Sequence, residues 1–459
     1  MEIGMVQKLR SDVKETVNAH KMFEGVDRAI IAFSSGPDSV CLLDILQSHF
    51  GKKMEFELVY INHGLRQKSI LEREEHLVKK YGRRYGLHVA ILRVKIKKQK
   101  EGLEAAARKE RYRALGEYMK RTRAQRVVLG HNLDDVVETF LLNIVRGSGM
   151  RGFRSIPAVR LPYVRPLIDS RKADIVLYLK ARKLAYSIDR TNQLLDYRRN
   201  FIRLKALPIL KKMNPEIHEA IRREIQILIQ DDDYLWERAA KVYSRVVRYE
   251  RDCVLLDLRR LMRYNVSLVS RVVMKAIQNL RGNLDGYESK HYNAIINLMY
   301  KGKGKRVTLP KGLYAAKEYD SIVIGYKRTR SDFDVMLDAI PGEIIVSEYR
   351  LRFRVLRECN FRKLGKMSEV FDLDALQLPL HVRNRRYGDV IETNVGKKKV
   401  KKIFSEKRIT TRARESVLIF CDQRGILWIP GIARALRGFV GEETKNFLVV
   451  EFGRIDQRS

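Results

Sequence analysis

Cysteine is scarce, with only Cys41, Cys253, Cys359 and Cys421 in 459 residues and no C-x-x-C pair among them. That spacing excludes a disulfide framework and a zinc ribbon and fits a reducing compartment. Ten prolines and 28 glycines are too few for a collagen-like or low-complexity chain. No run approaches the ~18 apolar residues of a membrane helix, and the first eight residues lack the basic-then-apolar order of a signal peptide. The expectation is a soluble, cytoplasmic protein with no membrane partner. Acidic residues are also short: 55 Asp and Glu face 92 Lys and Arg, a formal net charge of +37. Such an excess points to a nucleic-acid partner. A solvated surface from a hot or saline habitat is the plainer alternative.

What is present suggests a folded chain of two to four domains, at roughly 100–200 residues per domain. Apolar runs at 29–33, 56–61, 89–96 and 126–129 alternate with helix-like stretches near 38–50, 69–85, 101–121 and 132–146. This pattern predicts an α/β domain, a parallel sheet with helices on both faces, over residues 1–212. Ile217, Ile221, Ile225 and Ile229 recur at helical spacing, which predicts a mainly helical middle domain over 213–330. Strand-like runs follow at 307–309, 313–315 and 322–324. Residues 331–459 mix strands with short helices, a basic α+β C-terminal domain. Within it, residues 381–414 hold twelve basic residues against three acidic ones.

The first apolar run leads into Ser34-Ser35-Gly36-Pro37-Asp38-Ser39 and then a helix. Small residues let a backbone approach phosphate, and the new helix aims its free amides and positive dipole end there. Asp38 beside phosphates calls for an intervening cation, for which magnesium suits few protein oxygens plus phosphate oxygens. The loop has no lysine and is not a Walker A sequence; an ordinary capped strand–turn–helix is the alternative. After the run at 126–129 comes His131-Asn132-Leu133-Asp134-Asp135-Val136-Val137-Glu138-Thr139. At 3.6 residues per turn His131, Asp134, Asp135 and Glu138 share about a 100° arc. Like charges at i,i+4 cost a few tenths of a kcal/mol, which a metal or a cationic substrate would offset. First-turn acids also suit a helix dipole without any ligand.

Together these motifs resemble the N-type ATP pyrophosphatases. Val59 to Arg66, Glu104 to Tyr112, the H-x-x-D-D-x-x-E-T run through Gly149, Arg165-Pro166-Leu167, and Asp189 to Leu210 narrow the match. That last segment contributes Asn192, Tyr197, Arg199, Asn200, Arg203 and Pro208. Arg386-Tyr387-Gly388-Asp389, the basic run 397–402 with Phe404, and Trp428 to Arg434 extend it to the far end. The whole resembles the tRNA(Ile)-lysidine synthetase family. Ser35 stands in place of a usual glycine, Asn132 of a common second histidine, Thr191 of a serine and Thr393 of a proline.

The resemblance implies ATP-dependent adenylation of the wobble cytidine of a CAU-anticodon isoleucine tRNA. The ε-amine of free L-lysine then displaces AMP, giving lysidine. ATP and Mg2+ are the implied cofactors: Ser34 to Ser39 would cradle the nucleotide, and Asp38 and Asp135 would hold the metal. Arg108, Arg111 and Arg203 would steady the α-phosphate. Asp134 or Glu138 would bind lysine or take its proton, and His131 would contact nucleotide or base. Lys397, Lys398, Lys399, Lys401 and Lys402 suit phosphate contacts that position RNA without reading bases. Arg412, Arg414 and Arg434 would continue that track, and Phe404, Tyr387 and Trp428 are candidates for base stacking, with core packing the simpler reading of Trp428. A homodimer is left open. Two rivals stand beside this reading. A tRNA thiolase of the same superfamily needs reactive or cluster-binding cysteines, and an idle RNA-binding module has little use for acids facing phosphate.

Overall fold

The computed structural model describes residues 2–96, 103–187, 198–250, 252–327, 332–337, 339–346, 349–359, 364–365, 367–394 and 396–455. Asp189, Thr191, Asn192 and Tyr197 lie outside them. The chain divides into two compact units, Met1–Tyr234 and Leu235–Ser459.

The first unit opens with α1 (Glu2–Ala19), which the sequence pattern did not mark. It continues through β1 (Arg28–Ala32), α2 (Pro37–Phe50), β2 (Glu55–Asn62), α3 (Lys68–Tyr85), β3 (His88–Arg93), α4 (Leu103–Thr122), β4 (Arg126–Val128) and α5 (Leu133–Val145). Then come α6 (Met150–Phe153), β5 (Val159–Arg160), β6 (Tyr163–Val164), α7 (Lys172–Ala181), α8 (Arg198–Phe201), α9 (Leu207–Met213) and α10 (Ile217–Val246), inside which the boundary falls. The sheet order is β3-β2-β1-β4-β6-β5, parallel except for β5. Successive residues of β1 alternate between two cores: Ala29 and Ile31 face α1, α2 and α7, while Ile30 faces α4 with Leu115 and Tyr118. Both faces are covered, as a parallel sheet requires. The strand order reverses between β1 and β4, and ligands of such sheets bind at the strand carboxyl ends beside that switch point.

Behind the site, buried Asp44 ties three helices to α2. It accepts hydrogen bonds from Arg10 (3.1 Å), Tyr85 (2.6 Å), Arg182 (3.2 Å) and Tyr178. Burial acts to raise its pKa, but these donors prevail and hold it at about 2.

The second unit holds β7 (Val247–Glu250), β8 (Cys253–Asp257), α11 (Leu258–Leu261), α12 (Val266–Arg281), α13 (Ser289–Leu298), β9 (Arg306–Thr308), β10 (Leu313–Lys317) and β11 (Ser321–Tyr326). The strands form an antiparallel sheet, β7-β8-β11-β10-β9, whose core includes Val254, Ile324, Val272 and Ile295. The stretch expected to be mainly helical therefore carries a five-stranded sheet as well. Strands β7 and β8 escape a periodicity reading because they are four and five residues long and abut a 30-residue helix. Downstream lie β12 (Asp334–Met336), β13 (Gly342–Val346), β14 (Tyr349–Leu356), β15 (Ser368–Asp372), β16 (His381–Asn384), β17 (Val390–Thr393) and β18 (Gly396–Lys399). The chain finishes with α14 (Val400–Glu406), α15 (Thr411–Glu415), β19 (Leu418–Asp422), β20 (Gly425–Ile429), β21 (Ala433–Arg434) and β22 (Phe447–Arg454). Sheets β12-β16-β19-β20-β21 and β13-β14-β22-β15 share a core around Phe353, Phe371 and Phe420. Among the described residues no helix is long and apolar enough to cross a membrane.

Candidate active site

The loop from Ser34 to Ser39 leaves β1 and opens α2, with Gly36 at the N-cap and no side chain capping it. The first amides of α2 therefore stay available to an anion. Ser39 closes the loop: its hydroxyl donates to the Gly36 carbonyl (2.9 Å) and accepts from the Ser34 amide (3.3 Å). Ser35 sits at φ +61°, the left-handed region, where a side chain costs on the order of 1–2 kcal/mol. This explains the usual glycine. The serine is accommodated because its buried hydroxyl donates to the Glu74 carbonyl (3.2 Å), while the Ser187 amide donates to its own carbonyl (2.8 Å). Glu74 in turn accepts from Tyr60 (2.6 Å) and Arg66, so the motif at 59–66 braces the loop from behind.

Across the switch point, Asn132 caps α5. Its side chain accepts from the Asp135 amide (3.1 Å), Asp135 accepts from the Asn132 amide (3.0 Å), and Asn132 Nδ2 donates to Asp38 (2.9 Å). One residue thus holds both candidate metal carboxylates, a task that accounts for asparagine at this position. Lys172, at the start of α7, donates its ammonium to both Asp38 oxygens at 2.7 Å. Burial nevertheless pushes the Asp38 carboxyl above its ordinary value, Asp135 adding to the rise against the pull of Lys172 and Asn132.

Asp135 accepts from Arg199 (2.6 Å), and fully buried Glu138 accepts from Arg199 (2.8 Å) and Arg203 (2.5 and 2.9 Å). Arg199 and Arg203 reach one carboxylate because they lie four apart, with a π-helical turn (Ile202–Ala206) between α8 and α9. Pro208, lacking an N–H for the carbonyl four residues back, favours that wider turn. His131 is half-buried near Asp135, and its pKa is depressed to about 3, first by desolvation and then by Arg165, Arg111 and Arg108, against the pull of Asp135. It is therefore neutral at ordinary pH, and its Nδ1 has no partner among the described residues. Arg108 and Arg111 lie over the Tyr112 ring at 5.2 and 5.9 Å.

Most of the expected residues thus converge: the loop, Asp135, Glu138, Arg203, His131, Arg108 and Arg111. Asp134 does not. It turns to the other side of α5, accepting from the Lys172 amide (2.8 Å) and His218 Nε2 (3.1 Å). Burial acts to raise its pKa, but these bonds hold it below the ordinary value. Through these bonds it fixes α7 and α10 to α5. Glu138 likewise has its oxygens committed to two guanidiniums. Lys172 was missed altogether, since it lies far from either motif in sequence and carries no local pattern. Arg199 was quoted within the resemblance but given no role.

Residues 5–210 match the PP-loop domain and residues 380–450 the TilS substrate C-terminal domain. A tRNA(Ile)-lysidine synthase of Caldanaerobacter subterraneus subsp. tengcongensis is 30% identical over 98% of this chain and 98% of that protein. The chain belongs to the tRNA(Ile)-lysidine synthase family. A tRNA(Ile)-lysidine synthase of Clostridium acetobutylicum is 29% identical over 97% of this chain and 99% of its own. A solved TilS C-terminal domain is 25% identical, with a TM-score of 0.26, covering 28% of this chain and 100% of that one.

The C-terminal basic residues divide into two groups. Lys397, Lys399, Lys401 and Lys402 are exposed on β18 and α14, while Lys398 pairs with Glu406 at 3.6 Å. The three arginines expected to extend the track each make contacts within the fold. Arg412 pairs with Asp252. Arg414 donates to the Ile409 carbonyl (2.9 Å) and Tyr319 (3.0 Å). Arg434 pairs with Glu369 (2.9 Å), donates to the Val370 carbonyl (2.9 Å) and stacks on Phe439 at 3.9 Å. Guanidiniums suit such multi-donor, stacked positions better than ammonium groups do. Phe404 and Trp428 are core residues, and Tyr387 is 100% exposed.

Proposed function

We propose that the chain joins free L-lysine to the wobble cytidine of a CAU-anticodon isoleucine tRNA, consuming ATP and acting in the cytoplasm. The base's 2-oxygen attacks the α-phosphate and expels pyrophosphate; the lysine ε-amine then displaces AMP. The product is lysidine, which changes codon and amino-acid identity from Met to Ile. The observation that carries this reading is the convergence of loop 34–39, the Asp38–Asn132–Asp135 link and the Glu138–Arg199–Arg203 cluster at the sheet's switch point. It has the composition of a phosphoryl-transfer site, with helix amides and guanidiniums for phosphate charge and carboxylates for a cation.

Magnesium fits the donor set. Asp38 and Asp135 offer two carboxylates, with no cluster of three or more His, Cys, Asp or Glu ligands among the described residues. Phosphate oxygens and water would supply the remaining ligands. A bound ion there would neutralise phosphate charge and polarise the phosphoryl oxygens. Glu138 orients Arg199 and Arg203 toward the α-phosphate, and neutral His131 offers an uncharged contact to nucleotide or base. We assign the exposed lysines at 397–402 to RNA phosphates. We read the domains as 1–212, 213–330 and 331–459; separate apolar cores around Val272 and Phe420 support the division near 330, whereas Ile221 and Ile225 at the start of α10 pack with Leu133 and Val137 of the first unit.

The test incubates the purified protein with ATP, Mg2+, labelled lysine and the tRNA transcript. Label is expected in the RNA, with AMP and pyrophosphate released. ATP hydrolysis without label in the RNA would overturn the lysidine assignment, and RNA binding without ATP consumption would favour an idle binding module.

A further inference from the structure

The nucleotide loop contains no cation of its own, yet the fold brings one to it. Lys172 comes from 134 residues beyond Asp38. Its backbone is fixed by the bond from its amide to Asp134, and its stem crosses to the mouth of the loop. An ammonium has three donors. Two are spent on Asp38, at 2.7 Å each. A third remains for a further partner, and the side chain is 37% exposed. Asp38 is in the first turn of α2, where the free amides would gather phosphate.

Resting on the ATP reading, we propose that Lys172 is the phosphate-binding cation of this site, contacting the pyrophosphate half of ATP and stabilising the leaving group's charge. The single lysine of a Walker loop performs this task from within the loop. Here the lysine arrives from α7 and is aimed by the same carboxylate proposed to hold the metal. Asp38 thereby sets two positive charges side by side at the phosphates, one of which is part of the protein. A lysine that only neutralised Asp38 would occupy the same position without nucleotide, so the two roles separate only when phosphate is present.

The test measures equilibrium binding of α,β-methylene-ATP, which cannot be cleaved at the reacting bond, and of AMP. The full chain is compared with Lys172→Ala, Lys172→Gln and Lys172→Arg, in Mg2+ and in EDTA. Loss of one charge-assisted contact is expected to weaken the triphosphate by about tenfold in the Ala and Gln variants. AMP affinity should stay within about twofold of wild type, and Arg should restore most of the triphosphate binding. Lys172→Gln keeps a donor for Asp38, and AMP binding reports a folded site. Unchanged triphosphate affinity, or equal losses for AMP and triphosphate, would overturn the proposal. If wild type itself fails to bind the analogue, the ATP reading falls and this inference with it. Binding by wild type with no loss in the variants sinks this inference alone.

Discussion

Around α5, three acids are met by cations held in place: Asp38 by Lys172, Asp135 by Arg199, Glu138 by Arg199 and Arg203. On β18 and α14, Lys397, Lys399, Lys401 and Lys402 project into solvent. The difference teaches where a large net charge resides functionally. Charge that must act on one atom is held and oriented by its partners, so removing any member disturbs the rest. Charge that must hold a polyanion is left exposed on flexible stems, and acts by number more than by geometry.

Breaking the first arrangement should have the largest effects. Asp38→Ala or Asp135→Ala is expected to cut lysine incorporation by about a thousandfold or more, since both would lose the cation and the Asn132 link. Glu138→Gln should lower adenylate formation by about a hundredfold, read as ATP–pyrophosphate exchange, because Arg199 and Arg203 lose their common anchor. Asp44 tests whether a similar cluster, remote from the chemistry, is purely structural. Asp44→Asn should cost about 3 kcal/mol in denaturant unfolding and leave ATP affinity unchanged in the folded fraction. Its folded pKa of about 2 lies below the ordinary carboxylate value. The stability it contributes is therefore complete above about pH 4 and lost as pH falls toward 2. Wild type should show that loss, and Asp44→Asn should lack it.

Effects at the lysines should be smaller and of another kind. Replacing Lys397, Lys398, Lys399, Lys401 and Lys402 by Gln should weaken tRNA binding roughly tenfold or more. The salt slope should flatten by about one per lost phosphate contact, with triphosphate binding unaffected. An unchanged slope would return the run to the role of a solvated surface. Smallest of all, Tyr387→Ala should cost about 1 kcal/mol of RNA affinity through lost stacking, with no change in thermal stability because the ring touches solvent on every side.

Much of this was legible in the sequence. The four apolar runs lie on β1 to β4, and the amphipathic stretches between them match α2 to α5 to within a few residues. Both features are local, a continuous apolar run for a strand covered on two faces and a 3.6-residue period for a helix covered on one. The loop and the acid helix face were visible for the same reason. The partners of that face were not legible, because an arc of about 100° spans more than one neighbour: Asp134 meets His218 and Asp135 meets Arg199. The internal partners of Arg412, Arg414 and Arg434 were not legible either, because an arginine reads alike in sequence whether it faces water or Asp252, Ile409 and Glu369.

Composition and motif order by themselves determined the α/β plan, the phosphate-seeking loop and the need for an anionic partner, because these depend on residue type and near neighbours. The pairing of charges was decided only by the tertiary structure. Lys172 meets Asp38, and His218 meets Asp134, across separations of 134 and 84 residues. An ion pair is made by distance in space, which falls off within a few ångströms, and no local period of the chain encodes it.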